Sequence, residues 1–134
     1  MRVCLDTNVL IAAFATRGLC ADVLRTVLAE HELVVGEVIL TELRRTLISK
    51  FKLPADRIDA IESVLTTVPI IPKPPAPSTV PTRDSADRWI VATAISGAAD
   101  VLVTGDRDLL DVAAESPVRI LDPRAFWELL RAGE

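Results

Sequence analysis

Aromatic residues, histidine, cysteine and glycine are all scarce in this chain, and each shortage argues against a class of protein. Only 4% of the 134 residues are aromatic and none is tyrosine, so a protein that mainly stacks nucleic-acid bases on rings is not expected. His31 is the one histidine, and Cys4 and Cys20 lack zinc-site spacing, which disfavours a zinc enzyme. A Ser-His-Asp hydrolase would depend on that single histidine, and no G-x-S-x-G elbow is present. The five glycines form no phosphate-binding or dinucleotide-binding motif.

The chain also lacks a long apolar run and an excess of positive charge. No run approaches the ~20 residues needed to span a bilayer, and the first apolar segment contains Asp6 and Asn8, unlike a secretory signal. We therefore expect a cytoplasmic protein without a membrane partner. The net charge of −4 does not favour a protein that coats nucleic acid by charge alone. It is compatible with a nuclease whose acidic residues bind metal ions.

What is present is an alternation of short apolar runs and helical patterns. Apolar runs predict strands at 2–5, 32–35, 101–104 and 118–121, and apolar spacing predicts helices between them. Pro54 is expected in the first turn of one helix. The segment 68–81 contains six prolines and predicts an extended loop, with room for a short strand at its start. This order predicts an α/β fold with a mainly parallel sheet, covered by helices on both faces, in a single domain over residues 1–134.

Carboxylates occur where such a fold would bring them together. Asp6 and Asp106 directly follow predicted strands, whose carboxyl ends face the ligand-binding crevice of parallel α/β folds. Asp84 and Asp87 share a helical stripe with apolar residues, so both are expected to face the sheet. Glu42 lies on the helix that follows the second strand. Because clustered carboxylates cannot all stay ionised without a cation, the pattern predicts a divalent metal site, and carboxylate ligands favour Mg²⁺ or Mn²⁺.

Each acid also has a simpler interpretation. Asp6, Asp84 and Asp106 could be helix N-caps, and Glu42 could be a surface acid. Asp108 is expected to contribute less than Asp106. The case for a metal site therefore depends on the acids occurring together at corresponding ends of the elements.

The ordered set of motifs resembles the PIN domain family, and within it the VapC-like toxins of bacterial toxin–antitoxin pairs. The matching segments are LDTNVLI, the TEL around Glu42, RDxxD at 83–87 and VTGDRDLL. The resemblance implies a Rossmann-like sheet, an Mg²⁺- or Mn²⁺-dependent ribonuclease, an antitoxin partner and a homodimer. It implies that the metal-binding and catalytic acids are Asp6, Glu42, Asp87 and Asp106. It further implies an auxiliary role for Asp84 and supporting roles for Asn8 and Thr104. Asp108, two residues after Asp106, is a further auxiliary candidate from the sequence alone.

One residue departs from the family pattern. Arg88 stands where an asparagine often follows the third acid, which should alter hydrogen bonding around that acid or a phosphate contact. Arg83, Arg88 or Arg107 could hold the phosphate backbone of RNA.

Three alternatives to a ribonuclease toxin remain open. They are a PIN nuclease that is not a toxin, a degenerate PIN domain kept for protein binding, and a phosphatase of the haloacid-dehalogenase type. The phosphatase is disfavoured because position 8 is Asn, where a second Asp is usual.

Overall fold

A five-stranded, all-parallel sheet forms the centre of the molecule in the computed structural model, which describes residues 1–133. The strands are β1 (Arg2–Leu5), β2 (Glu32–Gly36), β3 (Ile70–Ile71), β4 (Val101–Val103) and β5 (Arg119–Leu121). Their order across the sheet is β3-β2-β1-β4-β5, and every neighbouring pair is parallel. The mainly parallel sheet that the sequence predicts is therefore confirmed.

Across residues 1–133, seven α-helices flank this sheet. They are α1 (Thr7–Ala15), α2 (Leu19–Glu30), α3 (Glu37–Ser49), α4 (Ala55–Leu65), α5 (Ser85–Ser96), α6 (Arg107–Asp111) and α7 (Pro123–Ala132), with a 3-10 turn at Ala113–Glu115. Pro54 is the N-cap residue of α4 and directly precedes the helix, whereas the sequence predicted it within the first turn. Within residues 1–133, no single helix is long and apolar enough to cross a membrane. Taken together, α1 and α2 are long and apolar enough, but the two helices are bent by 104° relative to each other.

The proline-rich segment contributes the edge strand and then a long loop. β3 has two residues, and Gly36 and Ile71 are partners in its pairing with β2. Residues 72–84 contain neither helix nor strand, as expected where prolines cannot donate ladder hydrogen bonds. This loop leads into α5, which packs against β2, β4 and α3.

The central strands are apolar because both of their faces are covered. Val3, Cys4 and Leu5 of β1 and all three residues of β4 are buried, which is typical of strands in a parallel sheet. Burial raises the pKa of the Cys4 thiol, with a smaller contribution from the charge of Asp6. Cys4 therefore behaves as a small hydrophobic residue of the core.

The strand order places a crevice between β1 and β4. The chain passes from β1 outward to β2 and β3, then crosses to β4 and β5 on the other side. In open parallel sheets, ligands bind at the carboxyl ends of the strands where this change of direction occurs. Asp6 follows β1 and Thr104 follows β4, and the Asp6 amide donates to the carbonyl oxygen of Val103 at 2.9 Å.

Candidate metal centre

Asp6 is a buried carboxylate whose two oxygens are both held by hydrogen bonds. It is 3% exposed at the junction of β1 and α1. The Thr7 amide donates to Oδ1 at 2.7 Å, while Thr104 Oγ1 at 2.8 Å and Asn8 Nδ2 at 3.2 Å lie on Oδ2. Burial raises the pKa of Asp6 to about 6; the Thr104 and Thr7 hydrogen bonds oppose this rise, and the charges of Glu42 and Asp106 add to it.

Thr104 and Asn8 connect the ends of β1 and β4. Thr104 Oγ1 donates to Asp6 and accepts from the Asp106 amide at 3.0 Å. Asn8 Oδ1 accepts from the Gly105 amide at 2.9 Å. These contacts fix the Asp6 carboxylate relative to the loop that carries Asp106. The structure thus brings both of these predicted auxiliary residues into contact with Asp6.

Asp87 is the second buried carboxylate of the site. It lies in the first turn of α5 and is 7% exposed. Its pKa is raised to about 7, first by burial and then by the charges of Asp106, Asp84 and Asp6. Thr82 Oγ1 lies 3.4 Å from Asp87 Oδ2, which is a long hydrogen bond. A carboxylate buried with so little compensation favours a nearby cation.

The closest group of acids combines Asp87, Asp106 and Asp108. One carboxylate oxygen from each lies within 4.8 Å of the others. Asp106 caps α6 and accepts from the Asp108 amide at 2.9 Å, which leaves its second oxygen outside the cap. An all-carboxylate set of this kind fits a hard divalent cation such as Mg²⁺ or Mn²⁺. We use the name acid site for Asp6, Glu42, Asp87, Asp106 and Asp108.

The structure places Glu42 at the border of the acid site and Asp84 at its surface. Glu42 is half-buried on α3, and its charge contributes to the raised pKa of Asp6. Asp84 is exposed and caps α5 by accepting from the Ala86 amide at 2.9 Å. The expectation that Asp84 shares the buried face of that helix is wrong, because an N-cap residue precedes the first helical turn. Its charge still raises the pKa of Asp87.

Arg88 and Thr82 form a support for Asp87 that the sequence interpretation did not identify in detail. Arg88 Nε donates to the Val80 carbonyl at 3.1 Å, and a terminal guanidinium nitrogen lies 3.4 Å from the Thr82 carbonyl. The Arg88 carbonyl accepts from the Ser78 amide at 3.0 Å. Arg88 therefore fixes the end of the proline-rich loop from which Thr82 reaches Asp87. The only sequence signal for Thr82 was a β-branched polar residue after Pro81, which does not distinguish it from other loop residues.

Fold and site together define the class of the protein: a Rossmann-like α/β protein with carboxylates gathered at the crevice of a parallel sheet. The sequence model of the family described as PIN domain matches residues 2–108. The chain therefore belongs to the PIN domain family, and this membership indicates a nuclease. The family assignment also removes the haloacid-dehalogenase alternative. Among curated proteins, none matches the sequence significantly.

Solved structures with the same fold include VapBC2, FitAB and VapBC-1. VapBC2 from Rickettsia felis, bound to a DNA fragment from its promoter, has a TM-score of 0.62 at 16% identity, covering 91% of this chain and 98% of that chain. FitAB bound to the IR36 DNA fragment has a TM-score of 0.65 at 17% identity, with 90% and 94% covered. VapBC-1 from nontypeable Haemophilus influenzae has a TM-score of 0.63 at 21% identity, with 92% and 99% covered. At these identities the similarity establishes the fold.

Proposed function

We propose that this chain is an Mg²⁺- or Mn²⁺-dependent endoribonuclease, formed by one PIN-like nuclease domain over residues 1–134. The observation that carries this proposal is the approach of Asp87, Asp106 and Asp108 oxygens to within 4.8 Å. Asp6 adds a buried carboxylate that is linked to Asp106 through Thr104. So many acids in one crevice are costly without a cation.

Each residue of the site has a separate task in this proposal. Asp6, Glu42, Asp87 and Asp106 are the metal-binding and catalytic acids. When bound, the divalent ion would supply activation of a water molecule and offset negative charge on the scissile phosphate. Thr104 and Asn8 orient Asp6, whereas Asp84 and Asp108 increase the negative potential around Asp87 and Asp106. Asp108 contributes more to this potential than the sequence suggests, because one of its carboxylate oxygens lies within 4.8 Å of oxygens from Asp87 and Asp106.

The proposed partners follow from the resemblance to VapC-like toxins. We infer that an antitoxin protein binds this chain, that the chain forms a homodimer, and that RNA is the substrate. The fold similarity to the VapBC and FitAB complexes supports the first inference. The cytoplasmic location expected from the sequence stays a prediction.

The proposal is tested by RNA cleavage with purified protein. We expect cleavage of single-stranded or structured RNA with Mg²⁺ or Mn²⁺, and none in excess chelator. Asp6→Asn, Asp87→Asn and Asp106→Asn should each reduce the rate by at least ~100-fold, while Asp108→Asn should have a smaller effect. Cleavage that continues undiminished in excess EDTA would rule out the mechanism.

Asp122→Asn is the matched control for these variants. Asp122 caps α7 by accepting from the Ala125 amide at 2.7 Å, so it has the same local role as Asp6 and Asp106 without belonging to the acid site. Asparagine is as good an N-cap as aspartate. Asp122→Asn should therefore cleave RNA at the parent rate. Equal losses in Asp122→Asn and Asp106→Asn would show that loss of a negative charge at a helix N-terminus, and not loss of metal binding, explains the effect.

A further inference from the structure

A cleft of about 310 Å³ opens beside the acid site and shares Glu42 with it. Its walls come from the first half of α3, the start of α5 and the loop after β3. Two cationic residues, Arg45 and Lys73, and one aromatic residue, Trp89, line it. Glu37 and Glu42 line it as well, so the cleft places two cations beside two acids at the edge of the acid site.

Contacts at both ends of the residue fix Lys73 in this cleft. Its ammonium nitrogen lies 4.6 Å from the centre of the Trp89 ring, which is a cation–π arrangement. Its backbone amide lies 3.3 Å from Glu37 Oε1, on the first turn of α3. A side chain that is already ordered loses less conformational entropy when it binds an anion.

Arg45 differs from its neighbour in what it contacts. Arg44 forms ion pairs with Glu62 and, at 3.5 Å, with Asp59, and so connects α3 to α4. Arg45 is exposed and lines the cleft on the same helix as Glu42. On α3, Arg44 therefore has a structural role in joining two helices, whereas Arg45 is available to a ligand.

Resting on the proposed nuclease function, we propose that this cleft binds the sugar–phosphate backbone of single-stranded RNA next to the scissile phosphate. Lys73 and Arg45 contact phosphates, and Trp89 positions the Lys73 ammonium. The cleft adjoins the acid site at Glu42, so nucleotides next to a phosphate bound at the acid site can reach it. The phosphate of each such nucleotide carries a negative charge, and the cleft presents the cationic groups of Lys73 and Arg45 to it. Contacts to phosphate fix the position of the strand without reading its sequence.

The proposal is tested by binding of a fluorescent single-stranded oligoribonucleotide in the inactive Asp106→Asn background, in Mg²⁺ and over a series of salt concentrations. Lys73→Gln should raise the Kd by about tenfold at low salt and reduce the slope of log K against log salt by about 0.7, the value for one single-strand phosphate. Trp89→Leu should raise the Kd about two- to fivefold, as expected for a lost cation–π contact. Lys50→Gln, an exposed lysine at the end of α3, is the control and should match its parent.

A double-mutant cycle separates positioning by Trp89 from direct contact with RNA. In the Lys73→Gln background, Trp89→Leu should have no further effect, because its partner is already absent. An undiminished effect of Trp89→Leu in that background would overturn the positioning role. With the active site intact, Lys73→Gln should raise KM and leave kcat unchanged.

Failure of this inference is distinguishable from failure of the nuclease proposal. If the parent cleaves RNA with metal, but Lys73→Gln and Lys50→Gln give the same Kd and the same salt slope, the cleft assignment is wrong and the nuclease proposal stands. If Asp106→Asn binds no RNA and the parent cleaves none, both are overturned. A sequence-dependent loss in Lys73→Gln would also contradict a backbone contact.

Discussion

At the scale of single residues, helix capping and metal binding are compatible roles for the same aspartates. Asp6 and Asp106 are both N-caps, as the simpler interpretation of the sequence requires. Asp6 accepts a second set of hydrogen bonds from Thr104 and Asn8, and Asp106 lies among the acids of the closest group. An N-cap at the end of a parallel strand places a carboxylate at the crevice, so local capping helps to build the acid site.

Residue-scale electrostatics predict how metal-free stability depends on pH. The folded protein holds protons on Asp6 and Asp87 up to pKa values of about 6 and 7, whereas the unfolded chain loses them near 3.8. Folding therefore takes up protons between these values, and the stability that these groups contribute is lost as pH rises through 6 and 7. We expect Asp87→Asn to melt at a higher temperature than the parent at pH 8 without metal, with the difference shrinking towards pH 5.

Thermal melts of the two proteins in chelator, over that pH range, measure this effect. Asp122→Asn should show no comparable pH-dependent gain, because Asp122 contributes to neither raised pKa. If Asp87→Asn instead melts below the parent at pH 8, the carboxylate acts only through the helix dipole, and its loss should cost a few tenths to ~1 kcal/mol.

At the scale of elements, the approach of α5 to β2 depends on glycine. A Cβ added at Gly36 would lie 2.2 Å from Thr93 Cγ2, and one added at Gly97 would lie 2.4 Å from Val34 Cγ1. Both contacts are far shorter than packed carbon atoms allow. The first turn of α5 carries Asp87, so this close packing also sets the position of a site acid.

Gly36→Ala should therefore destabilise the protein by overpacking, by about 1–3 kcal/mol. Thr93→Ser should partly restore stability in the double variant, because it removes the methyl group and keeps the hydroxyl that donates to the Trp89 carbonyl at 2.8 Å. Urea unfolding of both single variants and the double variant measures the coupling. Gly18→Ala is the control, since the nearest atom to its added Cβ is 3.7 Å away. Additive losses in the double variant would contradict the steric explanation.

At the scale of the whole molecule, metal binding should be linked to folding. The acid site combines the ends of β1 and β4 with α3, α5 and α6, so the unfolded chain cannot present it. Added Mg²⁺ or Mn²⁺ should then stabilise the parent, by about 2.7 kcal/mol at a free concentration hundredfold above Kd. The double variant Asp87→Asn/Asp106→Asn should lose most of this gain, and Asp122→Asn should keep it.

Melting temperatures measured against metal concentration test this linkage for the intact chain. The stabilisation should grow with the logarithm of metal concentration above Kd and disappear on chelation. A parent protein whose melting temperature is the same in millimolar Mg²⁺, in millimolar Mn²⁺ and in chelator would contradict a metal site in this fold.

The sequence by itself determined the elements and the acids at their ends. Buried parallel strands are written as continuous apolar runs, which is why β1, β2, β4 and β5 were predictable within a residue or two. Asp6 and Asp106 stood out because a carboxylate that ends such a run is unusual. The PIN domain family followed from the order of these motifs and is confirmed by the family match over residues 2–108.

Only the tertiary structure decided which side chains meet. Spacing along the chain could not show that Asp108 joins Asp87 and Asp106 while Asp84 stays exposed. It could not place Thr82 on Asp87 or Lys73 over Trp89, because these contacts depend on the path of a proline-rich loop without local periodicity. Local sequence specifies helices, caps and strands through short-range sterics and hydrogen bonds. The acid site and its cleft arise from packing between segments that are distant in the chain, so their membership is fixed only when the sheet and α5 come together.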